Sequence, residues 1–215
     1  MDKMLIESFR RVATASVADA VEKICGARGH LGAGIAPRTA ERKIVGPAVT
    51  VLEEPAEGAG PPTHALELID AAEPGSVIVI ATGGLTDVAV WGGLTTAGAV
   101  ANRLEAAVLD ASVRDIAEIR RDFGFPVFSR GACPGTTLGR VRTVASQIPV
   151  TIDGVTIHPG DLVVGDVDGV VIVPQARAAE VLALAQEIDA RELEQAKLIL
   201  ETGSLVEGIA KYGRI

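Results

Sequence analysis

A chain of 215 residues is long enough to bury one sizeable core, and it carries a formal charge of −8 with only 3% aromatic residues. An acidic surface poor in aromatic rings lacks both the cationic face and the stacking platforms of a nucleic-acid binder, which argues against direct RNA or DNA binding. The N-terminal MDKMLIESFRR has no signal-type apolar run, no stretch approaches a membrane span, and Cys25 and Cys133 stand apart, so a soluble cytoplasmic protein without disulfides is expected.

Ser16–Lys23 opens with Ser and has Asp three residues on, which predicts a helix start of capping-box type. Lys43–Glu53 reads as a strand with a Gly-Pro interruption, Glu53–Pro62 as a loop and Thr63–Gly75 as a short helix closed by Pro-Gly. VIVIA (Val77–Ala81) predicts a fully buried strand, followed by a glycine-rich connection over Thr82–Gly93 and a small-residue helix over Leu94–Leu104. AAVLD (Ala106–Asp110) is a second buried strand, Ala111–Val113 a tight turn, and Arg114–Phe123 a helix with Ile116, Ile119 and Phe123 on one face. Phe125–Ser129 is a third strand, and strand alternating with helix implies right-handed βαβ units and a parallel sheet. From Val141 to Pro174 short strands are broken by Asp153-Gly154, Pro159-Gly160 and Asp168-Gly169, which predicts an antiparallel β layer against the α/β part. Gln175–Gly203 is one long amphipathic helix with an apolar stripe of Val181, Leu184, Ala185, Ile188, Ala196 and Leu200, able to pack on its own body or on a neighbouring subunit. With no repeat and no clear linker, residues 1–215 read as a single domain.

Ligands of parallel α/β sheets gather beyond the carboxyl ends of the strands. The loops after VIVIA and AAVLD lie at two such ends and offer the amides of Gly92, Gly93 and Leu94 with the side chains of Asp87, Asp110, Arg114 and Asp115. Amides at a helix start attract anions, guanidinium grips a carboxylate or enolate oxygen, and carboxylate suits a hard cation that keeps most of its waters. The set fits a small keto acid held against Mg²⁺ or Mn²⁺. Spacing alone has a plainer explanation, because Ser112 to Asp115 matches a capping box with Asp in place of Glu. His64 and His158 read as helix-start and turn residues, Trp91 as a packing anchor, and Cys133 as an inert thiol. Glu187, Asp189, Glu192 and Glu194 read as the wet face of the last helix.

The run from Gly83 to Gly135 resembles the RraA-like family, which includes regulators of ribonuclease E activity and metal-dependent 4-hydroxy-4-methyl-2-oxoglutarate aldolases. Its landmarks are A-x-W-G at Ala89–Gly92, D-x-x-V-R-D at Asp110–Asp115 and GFPVF at Gly124–Phe128, with His158–Pro174 similar to the family's C-terminal β segment. The resemblance implies a β/β/α swivelling-type fold assembled as a homotrimer or a hexamer. It implies that Asp115 binds Mg²⁺ or Mn²⁺, that Arg114 contacts the keto oxygen, and that the amides of Gly92, Gly93 and Leu94 hold the carboxylate of a 2-oxo acid. It further implies a carboxylate from a neighbouring subunit's last helix, for which Glu192 or Glu194 is the candidate.

Two positions depart from the family's aldolases. Gly93 stands where they carry Asp or Glu, and no Asn precedes the helix of His64. The first departure weakens the case for retro-aldol chemistry more than for metal binding or for decarboxylation of oxaloacetate, and Asp87 is a possible substitute acid. The expectation is therefore a metal-dependent carbon–carbon lyase acting on 2-oxo acid dicarboxylates. The alternative is a non-catalytic regulator that binds a ribonuclease or another protein; the regulator type lacks the aspartate found here at position 115. A methyltransferase reading fails, because no glycine-rich loop with an acidic partner follows the first strand.

Overall fold

Strands of nearly unbroken aliphatic sequence form the centre of the molecule in a computed structural model that describes residues 2–213. Helices α1 (Lys3–Arg10) and α2 (Thr14–Cys25) precede the short β1 (Ala36–Pro37) and the long β2 (Ile44–Pro55). Then follow α3 (Thr63–Ala71), β3 (Val77–Trp91), α4 (Gly93–Ala101), β4 (Ala106–Val113), α5 (Ile116–Glu118, widening into a π turn over Ile119–Phe123) and β5 (Val127–Ala132). Strands β6 (Val141–Ser146), β7 (Val150–Ile152), β8 (Val155–Ile157), β9 (Leu162–Asp166) and β10 (Gly169–Val173) come next. A 3₁₀ turn at Gln175–Arg177 leads into α6 (Ala178–Thr202) and then α7 (Leu205–Tyr212).

Strands β2, β3, β4 and β5 are parallel and adjacent in that order. Because every step runs the same way across the sheet, right-handed crossovers place α3, α4 and α5 on one face. Val51, Ile78, Ile80, Leu109, Ile119 and Phe125 form the core there. Trp91 is its anchor, stacked on Phe125 with ring centroids 6.0 Å apart and donating from Nε1 to Thr96 Oγ1 at 2.8 Å. On the other face the β7–β8 hairpin, Leu31 and Ile35 cover Val79, Val108 and Phe128. With both faces covered, all eight residues of β4 are buried, which is why AAVLD carries no alternation.

The antiparallel strands join this sheet through β2. Its first half, Ile44–Pro47, pairs with β9, while Val51–Pro55 pairs with β6 along the same edge. A third core lies where α1, α2 and α6 cover β9 and β10, with Phe9, Val17, Val164, Val171, Val181 and Ile188 at its centre. The mixed α/β architecture with parallel and antiparallel strands and a long C-terminal helix is thus the one expected. The Asp153-Gly154 turn between β7 and β8 has φ of 50° and 81°, the double positive φ of a tight hairpin turn.

Five local expectations change. Helix α2 starts at Thr14, two residues early, because Asp189 of α6 accepts the Ala13 amide at 3.0 Å and the Ser16 hydroxyl. Asp189 is therefore a cap for another helix and not part of a wet face. The glycine-rich stretch after VIVIA is a bulged continuation of β3, which pairs onward as Leu85 with Ala111, Ala89 with Ser112 and Trp91 with Val113. Gly83 and Gly84 make this possible with φ of 75° and 87°, and Ala111–Val113, read as a tight turn, is instead the end of β4. The stripe of α6 holds through Ile188, but beyond it Gln195 is buried while Leu200 is 85% exposed. Helix α7 folds back there, and Gly208 packs against Ile199 and Gln195, a contact the periodicity of α6 does not encode.

Glu53 is an internal conflict. A bulge between Leu52 and Glu53 sets Glu53 opposite Thr143 of β6, and its carboxyl is 1% exposed with neither oxygen hydrogen-bonded. Burial pushes its pKa up to about 8, so it folds as the neutral acid. A raised folded-state value means that the native state binds the proton more tightly than the unfolded chain. This stability is present in full at low pH and is lost as pH rises toward 8. Glu53→Gln should remove that loss, leaving a nearly flat stability profile between pH 5 and 8 and a gain on the order of a few kcal/mol at the upper end, read by urea denaturation.

Candidate functional site

The pairing of β3 with β4 brings two chain reversals together at the carboxyl ends of the parallel strands. At one, β3 passes through Trp91 into α4; at the other, β4 passes through Arg114 and Asp115 into α5. The Arg114 amide donates to Trp91 O at 2.9 Å and fixes one turn against the other. A cleft of about 320 Å³ opens here, lined by Arg114, Asp115, Ile116, Cys133 and Pro134. A smaller one, lined by Pro62, Trp91, Gly92, Thr95 and Thr137, shares Arg114 as a wall.

Asp115 does cap a helix, but not its own. Ser112 lies in β4 and gives its hydroxyl to Thr86 O at 2.7 Å, so the capping box read from the spacing does not form. The helix expected from Arg114 begins at Ile116, and Asp115 adopts the left-handed conformation with φ 57°. Its side chain makes no bond to α5; Oδ2 accepts the Gly93 amide at the start of α4, at 2.9 Å. A cap contributes about 1 kcal/mol, while a left-handed non-glycine residue costs roughly 1–2 kcal/mol, less for Asp. As a structural device the position nearly cancels, and strain held at a cleft wall is what a functional residue shows.

Arg114 stands beside it, Nε 3.6 Å from Asp115 Oδ2, with both side chains about two-fifths exposed. At that exposure the pair adds little to stability and leaves the guanidinium available to a ligand. Gly92 and Gly93 form the opposite rim. A methyl group on Gly92 would lie 2.7 Å from Asp115 Oδ2 and 3.0 Å from Arg114 Cγ and Nε, so glycine is required by close approach. Leu94 is 89% exposed at the mouth.

The structure therefore gathers Arg114, Asp115, Gly92, Gly93 and Leu94. Asp87 lies in the exposed bulged part of β3, tied in by its carbonyl, which accepts from Cys133 Sγ at 3.1 Å. Cys133, read as inert, is a wall of the larger cleft. Asp110 belongs to a different unit: it is 2% exposed, accepts the Gly84 amide at 2.9 Å and pairs with Arg130 at 2.5 Å. Glu192 and Glu194 lie on the exposed outer part of α6, which packs chiefly against α2 and α7, and within one chain they do not line the cleft.

Among the described residues no three His, Cys, Asp or Glu side chains gather as metal ligands. A hard divalent cation needs no such cluster, since one carboxylate can hold it while waters fill the remaining positions. Asp115 is a carboxylate partly exposed at the cleft.

The family model of RraA-like proteins, Aldolase/RraA, matches residues 14–172. The chain belongs to that family. It is 36% identical over 204 residues to protein DlpA of Legionella pneumophila, covering 94% of this chain and 32% of that protein, so it spans about a third of its relative. It is 32% identical to a protein of Halalkalibacterium halodurans provisionally named a 4-hydroxy-4-methyl-2-oxoglutarate aldolase, covering 85% of this chain and 82% of the other. The crystal structure of an uncharacterized protein from Pseudomonas syringae superposes with a TM-score of 0.90 at 34% identity, covering 99% of this chain and 95% of that one.

The two rim glycines should respond differently to a methyl group. Gly92→Ala must push apart Asp115 and Arg114 and should cost about 1–3 kcal/mol of unfolding free energy. Gly93→Ala meets only the far end of the exposed Glu118 side chain, and should cost less than about 0.5 kcal/mol. Equal costs in chemical denaturation would show that the close approach at Gly92 is not rigid.

Proposed function

We propose that this chain is a divalent-metal-dependent carbon–carbon lyase acting on 2-oxo acid dicarboxylates, with decarboxylation of oxaloacetate as its simplest activity. The observation that carries the reading is the Asp115 carboxylate, held in a strained left-handed turn against the Gly93 amide with Arg114 at its side. A hydrated Mg²⁺ or Mn²⁺ on Asp115 would supply Lewis-acid polarisation of the keto group. Arg114 binds the keto oxygen and stabilises negative charge as it develops in the enolate. At the start of α4 the Gly92 amide donates to Thr95 Oγ1 and the Gly93 amide to Asp115 Oδ2, so the Leu94 amide orients the substrate's carboxylate. The provisional aldolase name of the Halalkalibacterium relative is in keeping with this chemistry.

The same reading gives Glu192 or Glu194 a role at a neighbouring subunit's site in a trimer or hexamer. Its support is the apolar surface on the outer part of α6 and on α7, where Leu193, Leu200, Leu205 and Val206 are all more than half exposed. The retained Asp115 speaks against a purely non-catalytic regulator.

The test is release of pyruvate from oxaloacetate with added Mn²⁺. Asp115→Asn keeps a side chain that tolerates the left-handed turn but loses the charge. It should lower the Mn²⁺-dependent rate by about 10² or more while the protein remains folded. Equal rates for the two proteins would refute the metal site.

A further inference from the structure

The residues that wall the cleft lack a group suited to the retro-aldol half of this chemistry. Cleavage of a 4-hydroxy-2-oxo acid requires removal of the proton from the C4 hydroxyl. Arg114 is a cation, Asp115 is engaged by the Gly93 amide and reserved for the metal, and Cys133 donates to the Asp87 carbonyl.

A second carboxylate nevertheless reaches the start of α4. Glu118 follows Asp115 by three residues, at the last position of α5. A methyl group on Gly93 would lie 2.7 Å from Glu118 Oε1, 3.0 Å from its Cδ and 3.2 Å from Oε2. Gly93 is thus approached by Asp115 at its amide and by Glu118 at its α-carbon. Its backbone is not in the positive-φ region, so conformation does not demand glycine there. A methyl group there would crowd only the movable end of the Glu118 side chain, which places that carboxylate beside Gly93. Glu118 is exposed and has no hydrogen bond or ion pair among the described residues, which leaves it open to a ligand.

We propose that Glu118 is the general base of a retro-aldol reaction at this site, an assignment that rests on the lyase reading above. Its carboxylate takes the proton of the C4 hydroxyl as the C4 carbonyl forms. The C3–C4 bond breaks, and its electron pair passes into the enolate of the pyruvyl fragment. The proton on Glu118 then goes to C3, releasing pyruvate and a carbonyl product and restoring the carboxylate. With 4-hydroxy-4-methyl-2-oxoglutarate both products are pyruvate. Decarboxylation of oxaloacetate makes no use of this base, because departing CO₂ leaves no hydroxyl proton behind. The two reactions therefore separate the role of Glu118 from that of the rest of the site.

The experiment compares wild type, Glu118→Gln, Glu118→Ala and the double variant Glu118→Ala/Gly93→Asp in the presence of Mn²⁺. It reads cleavage of 4-hydroxy-4-methyl-2-oxoglutarate, decarboxylation of oxaloacetate, and exchange of the pyruvate methyl protons in D₂O by NMR. Glu118→Gln should lower aldol cleavage and methyl exchange by about 10²–10⁴, and decarboxylation by less than about tenfold. Its Mn²⁺ affinity, followed by electron paramagnetic resonance, should match wild type. The double variant, with the acid returned to position 93 and the space opened for it, should recover at least about tenfold of the cleavage lost in Glu118→Ala. Cleavage unaffected by Glu118→Gln, or both reactions falling together, overturns the assignment. A wild type that decarboxylates but does not cleave the aldol substrate overturns the base and leaves the lyase standing. A wild type inert toward both substrates overturns the lyase reading and the base with it.

Discussion

The hydrogen bond from the Gly93 amide to Asp115 Oδ2 is the contact on which the candidate site depends. It joins the end of β4 to the first residue of α4, across a boundary that backbone pairing alone would leave as two separate turns. With the Arg114 amide on Trp91 O it fixes where the arginine stands relative to the glycine rim. It also makes Gly92 a point of close approach, since a Cβ there would have to displace Asp115 and Arg114. The left-handed turn at Asp115 offsets much of what such a bond contributes, and the rigid parallel sheet below holds the turn in place.

That sheet is built on β2. It pairs with β3 on one edge and divides the other between β9 and β6, so one strand belongs to both the parallel and the antiparallel parts. The stepwise order of β2 to β5 gathers three helices on one face and aligns the strand ends, which is why the turns after β3 and β4 open on the same side. The branching of β2 comes with an unpaired buried carboxyl at Glu53, beside the bulge where the strand changes partner. A neutral acid is tolerated there because the surrounding core is strong on both faces of the sheet.

Much of this was legible in the residues. VIVIA and AAVLD are short unbroken apolar runs of the kind that strands covered on both faces carry, and the alternation with helices pointed to a parallel sheet. Arg114, Asp115 and Gly92–Leu94 could be placed beside one another because strand ends and helix starts are local features, but the sequence did not show that Thr95 and Asp115 accept the Gly92 and Gly93 amides. The capping box at Ser112–Asp115 failed for a physical reason. Its pattern is written in spacing, but Ser112 found a better acceptor in Thr86 on the neighbouring strand. Asp189 looked like solvated surface because the two groups it caps lie more than 170 residues away. Glu118 carried no signal of its own, since an acidic residue in the first turn of a helix is favourable anywhere.

By itself the sequence determined most of the segments that become strands and helices, that the core is aliphatic, and that an arginine and an aspartate follow a buried strand. These are matters of periodicity, burial preference and local turn chemistry, which act over a few residues. Only the tertiary structure decided which helix Asp115 caps, that β3 runs on past its glycines to pair with the end of β4, and that Glu118 lies over Gly93. Each of these is set by a partner brought near through the sheet. The free energy of such a contact depends on distance in space, which separation along the chain does not encode.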